Sequence, residues 1–147
     1  MNMNRRNAIS MGAATLVATS AAAQTQDHSH HHDHMSGGKY QALADASADC
    51  VLKGQACLAH CLVLLADGDK QMAACAQSVS QTMALCAALQ SLAVQEAPLV
   101  ASLAKTTLVA CEQCEKECKK HESKHAACKA CLDSCVACIK QCKALVA

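Results

Sequence analysis

The sequence predicts an all-α protein, an up-down-up-down four-helix bundle with a cysteine-lined core. Three observations carry that prediction. The 147-residue chain holds 13 cysteines, and those at Cys111, Cys114, Cys118 and then Cys128, Cys131, Cys135, Cys138 and Cys142 are spaced by three or four within each cluster. Residues three and four apart share one helical face, and a 3-4-3-4 run is the inward seam of a bundle helix. Second, four helical stretches are joined by short polar breaks, with no alternating β-branched run to compete. Third, after residue 23 the only aromatic is Tyr40 and the only proline Pro98, so the core must be built from Ala, Leu, Val and Cys. Such a core buries little apolar area, and an additional staple is expected.

Residues 1–23 read as an export signal. Arg5-Arg6 precede an apolar stretch from Ala8 that ends in Ala21-Ala22-Ala23, a small-residue cleavage site. Paired arginines point to the twin-arginine route and an extracytoplasmic, periplasmic location, although Ala8 and Ile9 stand where that route prefers a bulkier pair. An ordinary Sec signal is the alternative. A twin-arginine substrate folds before export, so its thiols could take up metal before meeting an oxidising compartment. Residues 24–38 crowd His28, His30, His31, His32 and His34 among Asp and Ser. This composition cannot bury a core, and it reads as a disordered metal-capturing tail rather than an expression tag.

Residues 39–147 form the bundle domain. The first helix is predicted from Lys39 to about Ala66, stopping at Asp67-Gly68-Asp69, where Gly68 suits a C-cap and Asp69 the next N-cap. The second runs from Lys70 to about Val94 and stops before Pro98. Pro98 suits the first turn of the third, which runs to about Lys120. A polar hinge over His121–Lys124 leads to the fourth, ending near Val146, with Ser123 as its expected cap. At 100° per residue, Cys50, Cys57 and Cys61 fall within about 40° on the first helix, and Cys75 and Cys86 within about 20° on the second. All thirteen cysteines therefore point inward together.

Charge excludes several classes of function. Without the signal the chain keeps no arginine, and its lysines nearly balance its acids. No basic field suggests nucleic acid, and no apolar run is expected to span a membrane once the signal is removed.

An inward cysteine face has three readings. Packing explains one or two buried thiols, but thirteen leave a poorer core than Leu would. A disulfide framework, structural or redox-active, is usual for small exported chains. It meets an odd cysteine count and i,i+4 spacings too wide for the bond. Metal is the third reading. Cys57/Cys61, Cys114/Cys118, Cys131/Cys135 and Cys138/Cys142 can place sulfurs about 4.5 Å apart, twice a metal–sulfur bond, which suits a near-linear ion. Soft thiolates select Cu(I), and one cuprous ion per thiolate leaves the lumen neutral, up to about thirteen ions. Zinc and iron–sulfur clusters want about four thiolates on one centre and leave surplus negative charge.

Cys57-x-x-His60-Cys61, Cys111-x-x-Cys114-x-x-x-Cys118 and the ladder Cys128-x-x-Cys131-x-x-x-Cys135-x-x-Cys138-x-x-x-Cys142 together resemble the bacterial copper storage proteins, in their exported branch. The resemblance covers essentially the whole chain after the signal. It implies a non-catalytic store of many Cu(I) ions inside a four-helix bundle, a homotetramer, and a copper-requiring enzyme as recipient, for instance in a methane-oxidising bacterium. It also implies that His60 and Met72 lie at the open end of the bundle. Leu64 and Asp67 stand where exported relatives carry further methionines. His121 and His125 continue the spacing beyond Cys118 and are read either as additional mouth ligands or as polar hinge residues.

Overall fold

A computed structural model describes residues 37–147; the export signal and the tract containing His28, His30, His31, His32 and His34 lie outside the described residues. Four helices follow in chain order: α1 (Gln41–Ala66), α2 (Ala73–Val94), α3 (Val100–Lys119) and α4 (Ala126–Val146). Each packs against its two neighbours, α1 on α2 and α4, α3 on α2 and α4, whereas the diagonal pairs meet only through side chains across the axis. An open square of helices leaves a lumen along its axis, and the inward residues fill it.

Each boundary has a local cause. The turn that opens α1 closes with the Gln41 amide donating to the Gly38 carbonyl at 2.8 Å, and the Lys39 amide donates to Glu96 Oε1 at 2.8 Å. That bond ties the start of α1 to the α2–α3 turn. At the other end of α1, the Asp69 amide reaches back to the Leu64 carbonyl and the Gly68 amide to Leu65. This is the paired closure that needs a left-handed residue, and Gly68 supplies it at φ 94°. Asp69 then caps a short 3₁₀ turn, Lys70–Met72, by accepting from the Gln71 amide at 3.1 Å.

α2 closes in the same way, with the Ala97 amide on the Leu92 carbonyl and the Glu96 amide on Ala93. Here the left-handed position is Glu96, at φ 50°. A side chain there costs about 1 kcal/mol or more; the bond from the Lys39 amide offsets part of it.

Two expectations need correction. Pro98 lies in the turn ahead of α3, not inside its first turn, because the Val100 amide bonds the Ala97 carbonyl and the helix starts only there. Ser123 does not cap α4. The turn after α3 persists through Lys124 and His125, whose amides both bond the His121 carbonyl, so the N-cap falls to His125 in an extended conformation (φ −130°).

By length and composition alone, Gln41–Ala66 and Lys70–Val94 are each apolar enough to cross a membrane; both are bundle helices here.

One end of the interior is apolar: Leu43, Ala44, Leu89, Ala93, Val100 and Ala104 are buried and plug it. Toward the other end the stripe turns to sulfur on every helix. Gly54 occupies a cysteine-stripe position on α1, where a Cβ would lie 2.5 Å from Met83 Cγ on α2. Its bare backbone lets α2 come close.

Candidate metal centre

All thirteen cysteines are buried free thiols. They reach the axis because the three-and-four spacing keeps each stripe on one side of its helix. Their sulfurs gather into four overlapping groups, within each of which all sulfurs lie within 4.8 Å of one another. Cys50, Cys86, Cys111 and Cys138 come one from each helix. Cys57 and Cys61 of α1 join Cys75 of α2 and Cys128 of α4. Between them lie Cys57–Cys118–Cys131 and Cys114–Cys131–Cys135. Cys57 and Cys131 each serve two groups, and Cys50 stands 4.0 Å from Cys135, so the sulfurs form a continuous column. Cys142, also fully buried, lies one turn beyond Cys138 and belongs to none of the groups.

The shortest separations run mainly across helices: Cys75–Cys118 at 3.7 Å, Cys57–Cys128 at 3.8 Å, and Cys86–Cys111 and Cys114–Cys131 at 3.9 Å. Among the along-helix pairs, Cys114–Cys118 stands at 3.9 Å. The along-helix rungs are present at Cys57/Cys61, Cys114/Cys118 and Cys131/Cys135, and contacts across helices join them. A metal–sulfur bond of about 2.3 Å sets sulfurs about 4.6 Å apart in a linear unit, about 4.0 Å in a trigonal one and about 3.8 Å in a tetrahedral one. The observed spacing suits three or four sulfurs per centre, with small side-chain rotations able to open it to two.

Electrostatics separates the candidate ions. Among the described residues the buried polar side chains are Ser47, Ser78, Thr82, Thr107 and Ser134, with no buried cation or carboxylate. Four thiolates around a divalent ion would leave two uncompensated negative charges in this lumen, a cost of many kcal/mol. A monovalent soft ion per thiolate leaves none.

The thiols already show that strain. Cys114 is held well below the ordinary thiol range because Cys118, Cys131 and Cys135 surround its sulfur as S–H donors, Cys118 foremost. Cys118 is pushed up because its proton bridges to Cys114. Cys50 is lowered to about 5, chiefly by Cys111, while burial pushes Cys61 and Cys128 up. Each metal-free thiolate is thus held by its neighbours' protons, and those neighbours cannot ionise as well.

A family model described as "Copper storage protein" matches residues 36–147. The chain belongs to the copper storage protein family. No curated protein matches it. Membership in the copper storage family carries copper storage as the function and copper ions as the ligand, and the many buried cysteines fit metal binding.

At the end of this copper storage bundle opposite the plug, His60 Nε2 lies 2.9 Å from His125 Nδ1, and the His121 and His125 rings are 6.4 Å apart. All three imidazoles are half-buried. Met72, in the turn before α2, is fully buried. The structure thus brings His60 together with His125, a pairing that spacing along the chain could not give because 65 residues separate them.

Sequence reasoning missed the hydroxyls of the lumen. Ser47 Oγ stands 3.9 Å from Cys138 Sγ, and the Thr82 hydroxyl, which donates to the Ala110 carbonyl at 3.0 Å, also lowers Cys114. A signal was present: Ser47 precedes Cys50 by three and Thr82 precedes Cys86 by four.

Proposed function

We propose that this protein is an exported Cu(I) store that fills its sulfur column with up to about one cuprous ion per thiolate. The observation that supports it most is the column itself: thirteen buried thiols with no buried counter-charge among the described residues. Such a lumen is neutral while its thiols are protonated, and it stays neutral when one monovalent cation replaces each thiol proton. Cys50, Cys57, Cys61, Cys75, Cys86, Cys111, Cys114, Cys118, Cys128, Cys131, Cys135, Cys138 and Cys142 are the proposed ligands.

His60, His125 and His121, with Met72, receive ions at the open end and hand them to Cys61 and Cys128 by ligand exchange. The chain performs no catalysis in this reading. The tail at His28–His34 collects dilute copper, export follows the twin-arginine route, and a copper-requiring enzyme outside the cytoplasm is the recipient. Anaerobic titration with Cu(I), alongside a free-thiol count on the folded protein, tests the core of it. Loading on the order of ten ions or more per chain is expected, and saturation at one or two would overturn the store. A thiol oxidoreductase is the rival. It would reduce insulin with turnover, and the copper store would not.

A further inference from the structure

The sulfur groups impose a charge condition that a second class of ligand also meets. Among the described residues the lumen holds no buried cation or carboxylate, so a centre held there must carry as many positive charges as it takes thiolates. One monovalent ion per thiolate does so, and so does one trivalent centre on three thiolates. A divalent ion on four does not. Two of the four groups consist of three sulfurs, Cys57–Cys118–Cys131 and Cys114–Cys131–Cys135. The other two, Cys50–Cys86–Cys111–Cys138 and Cys57–Cys61–Cys75–Cys128, each supply three from four. Hard trivalent cations prefer oxygen ligands, which leaves the thiophilic trivalent metalloids.

We propose that the column also binds trivalent arsenic, taken up as arsenous acid, in sites of three sulfurs. The exchange balances without a redox step: arsenous acid and three thiols give one arsenic trithiolate and three waters. Three As–O and three S–H bonds break, three As–S and three O–H bonds form, and the arsenic stays trivalent. The thiol protons leave as water, so the lumen is uncharged before and after. Arsenous acid is itself uncharged at neutral pH, so it enters an apolar bundle without bringing a charge that has to be compensated.

The spacing allows it. With bonds of about 2.3 Å, as for other thiolates, and bond angles of about 95–100°, a pyramidal centre sets its sulfurs about 3.4–3.5 Å apart. Cys57–Cys128 stands at 3.8 Å, and Cys86–Cys111 and Cys114–Cys131 at 3.9 Å. Closing such a pair takes about 10° of χ1 rotation on each side, well inside a rotamer well. Three sites can fill together without sharing a sulfur: Cys114–Cys131–Cys135, three of the four cysteines around Cys50, and three of the four around Cys61. Nine of the thirteen thiols are then engaged. The inference needs free buried thiols and does not rest on Cu(I) storage, although arsenic and copper compete for the same sulfurs.

The test is anaerobic titration of the reduced, metal-free full chain with sodium arsenite at neutral pH, read by intact-chain mass, free-thiol count and X-ray absorption at the arsenic edge. The expected result is about three arsenic atoms per chain, each on three sulfurs and no oxygen, with about four thiols still free. Cys131→Ala breaks both three-sulfur groups and should hold one arsenic fewer, while Cys142→Ala, which lies in none of the groups, should hold the wild-type number. If Cys131→Ala fails to fold, the stoichiometry and free-thiol count of the wild type decide the matter. No uptake at micromolar arsenite, oxygen in the arsenic shell, or equal losses in Cys131→Ala and Cys142→Ala would each overturn the inference. Cu(I) loading of the same preparation keeps the two readings apart. Full copper loading without arsenic overturns the arsenic sites alone, and arsenic binding with only one or two coppers would support them while overturning the copper store.

Discussion

Leu89→Ala should separate what holds the bundle together from what it carries. Leu89 is fully buried in the apolar plug, and with Met72, Val79 and Val100 it is one of the four bulkiest almost wholly enclosed side chains among the described residues. The remaining fully enclosed volume is mostly thiol. Removing a buried Leu side chain costs about 2.7–5 kcal/mol, and a plug of small neighbours such as Ala93 and Ala104 can close little of the cavity, which puts this site near about 3–4 kcal/mol. For a domain of this size each kcal/mol moves the midpoint by about 4–8 °C, so reduced apo protein should melt roughly 12–30 °C lower. Cu(I) capacity should be unchanged, because Leu89 contributes no ligand atom to any of the sulfur groups. Cys86→Ala, one turn earlier on the same stripe, should do the reverse, with a loss of about 1 kcal/mol and a capacity lower by about one ion. Anaerobic thermal denaturation paired with copper titration reads both quantities. A Leu89→Ala protein destabilised by less than about 1 kcal/mol, or one that loses several copper ions, would refute the division between a structural end and a storage end.

Four further outcomes follow from the same geometry. Replacing Cys131 and Cys135 together by Ala should lower capacity by about two ions while the helical signal persists; complete loss of loading would mean the column works as one indivisible cluster. Cys61 and Cys128 are pushed above the ordinary thiol value of 9.0 by burial. The folded chain therefore keeps these two protons where the unfolded chain releases them, so their contribution to apo stability should be full below pH 9 and be lost as pH rises beyond it, whereas the copper-loaded form should stay flat; melting curves in alkaline buffers decide this. Gly54→Ala brings a Cβ to within 2.5 Å of Met83 Cγ, so it should destabilise unless Met83→Ala accompanies it, with a coupling of about 0.5–2 kcal/mol in a double-mutant cycle. His60→Ala and His125→Ala should slow copper uptake in stopped-flow mixing and leave the final capacity intact; unchanged rates would remove the imidazoles from the entry route.

The helices and their inward stripes were legible because three-and-four spacing is a direct statement about one face of a helix. The Asp67-Gly68-Asp69 break was legible because each residue there does what its side chain, or the lack of one, dictates. Ser123 misled because a capping side chain competes with the backbone, and here the turn centred on the His121 carbonyl outlasts it. Glu96 carried no signal, since its left-handed geometry depends on a bond from Lys39, 57 residues away. The cysteines were recognisable one by one, but not their grouping. Spacing along a helix suggested rungs within each helix, whereas contacts such as Cys57–Cys128 depend on which helices are neighbours. For the same reason the approach of His60 to His125 emerged only from the assembled bundle.

The plug around Leu89 and Val100 closes one end of the sulfur column. If ions enter past His60 as proposed, the column is served in reverse order of arrival: the newest ions near Cys61 and Cys128 would leave first, and those beside Cys50 and Cys86 would wait behind them. Brief demand would therefore turn over only the upper layer, and the lower sulfurs would act as a slow reserve, reached only when the outside has been short of metal for long.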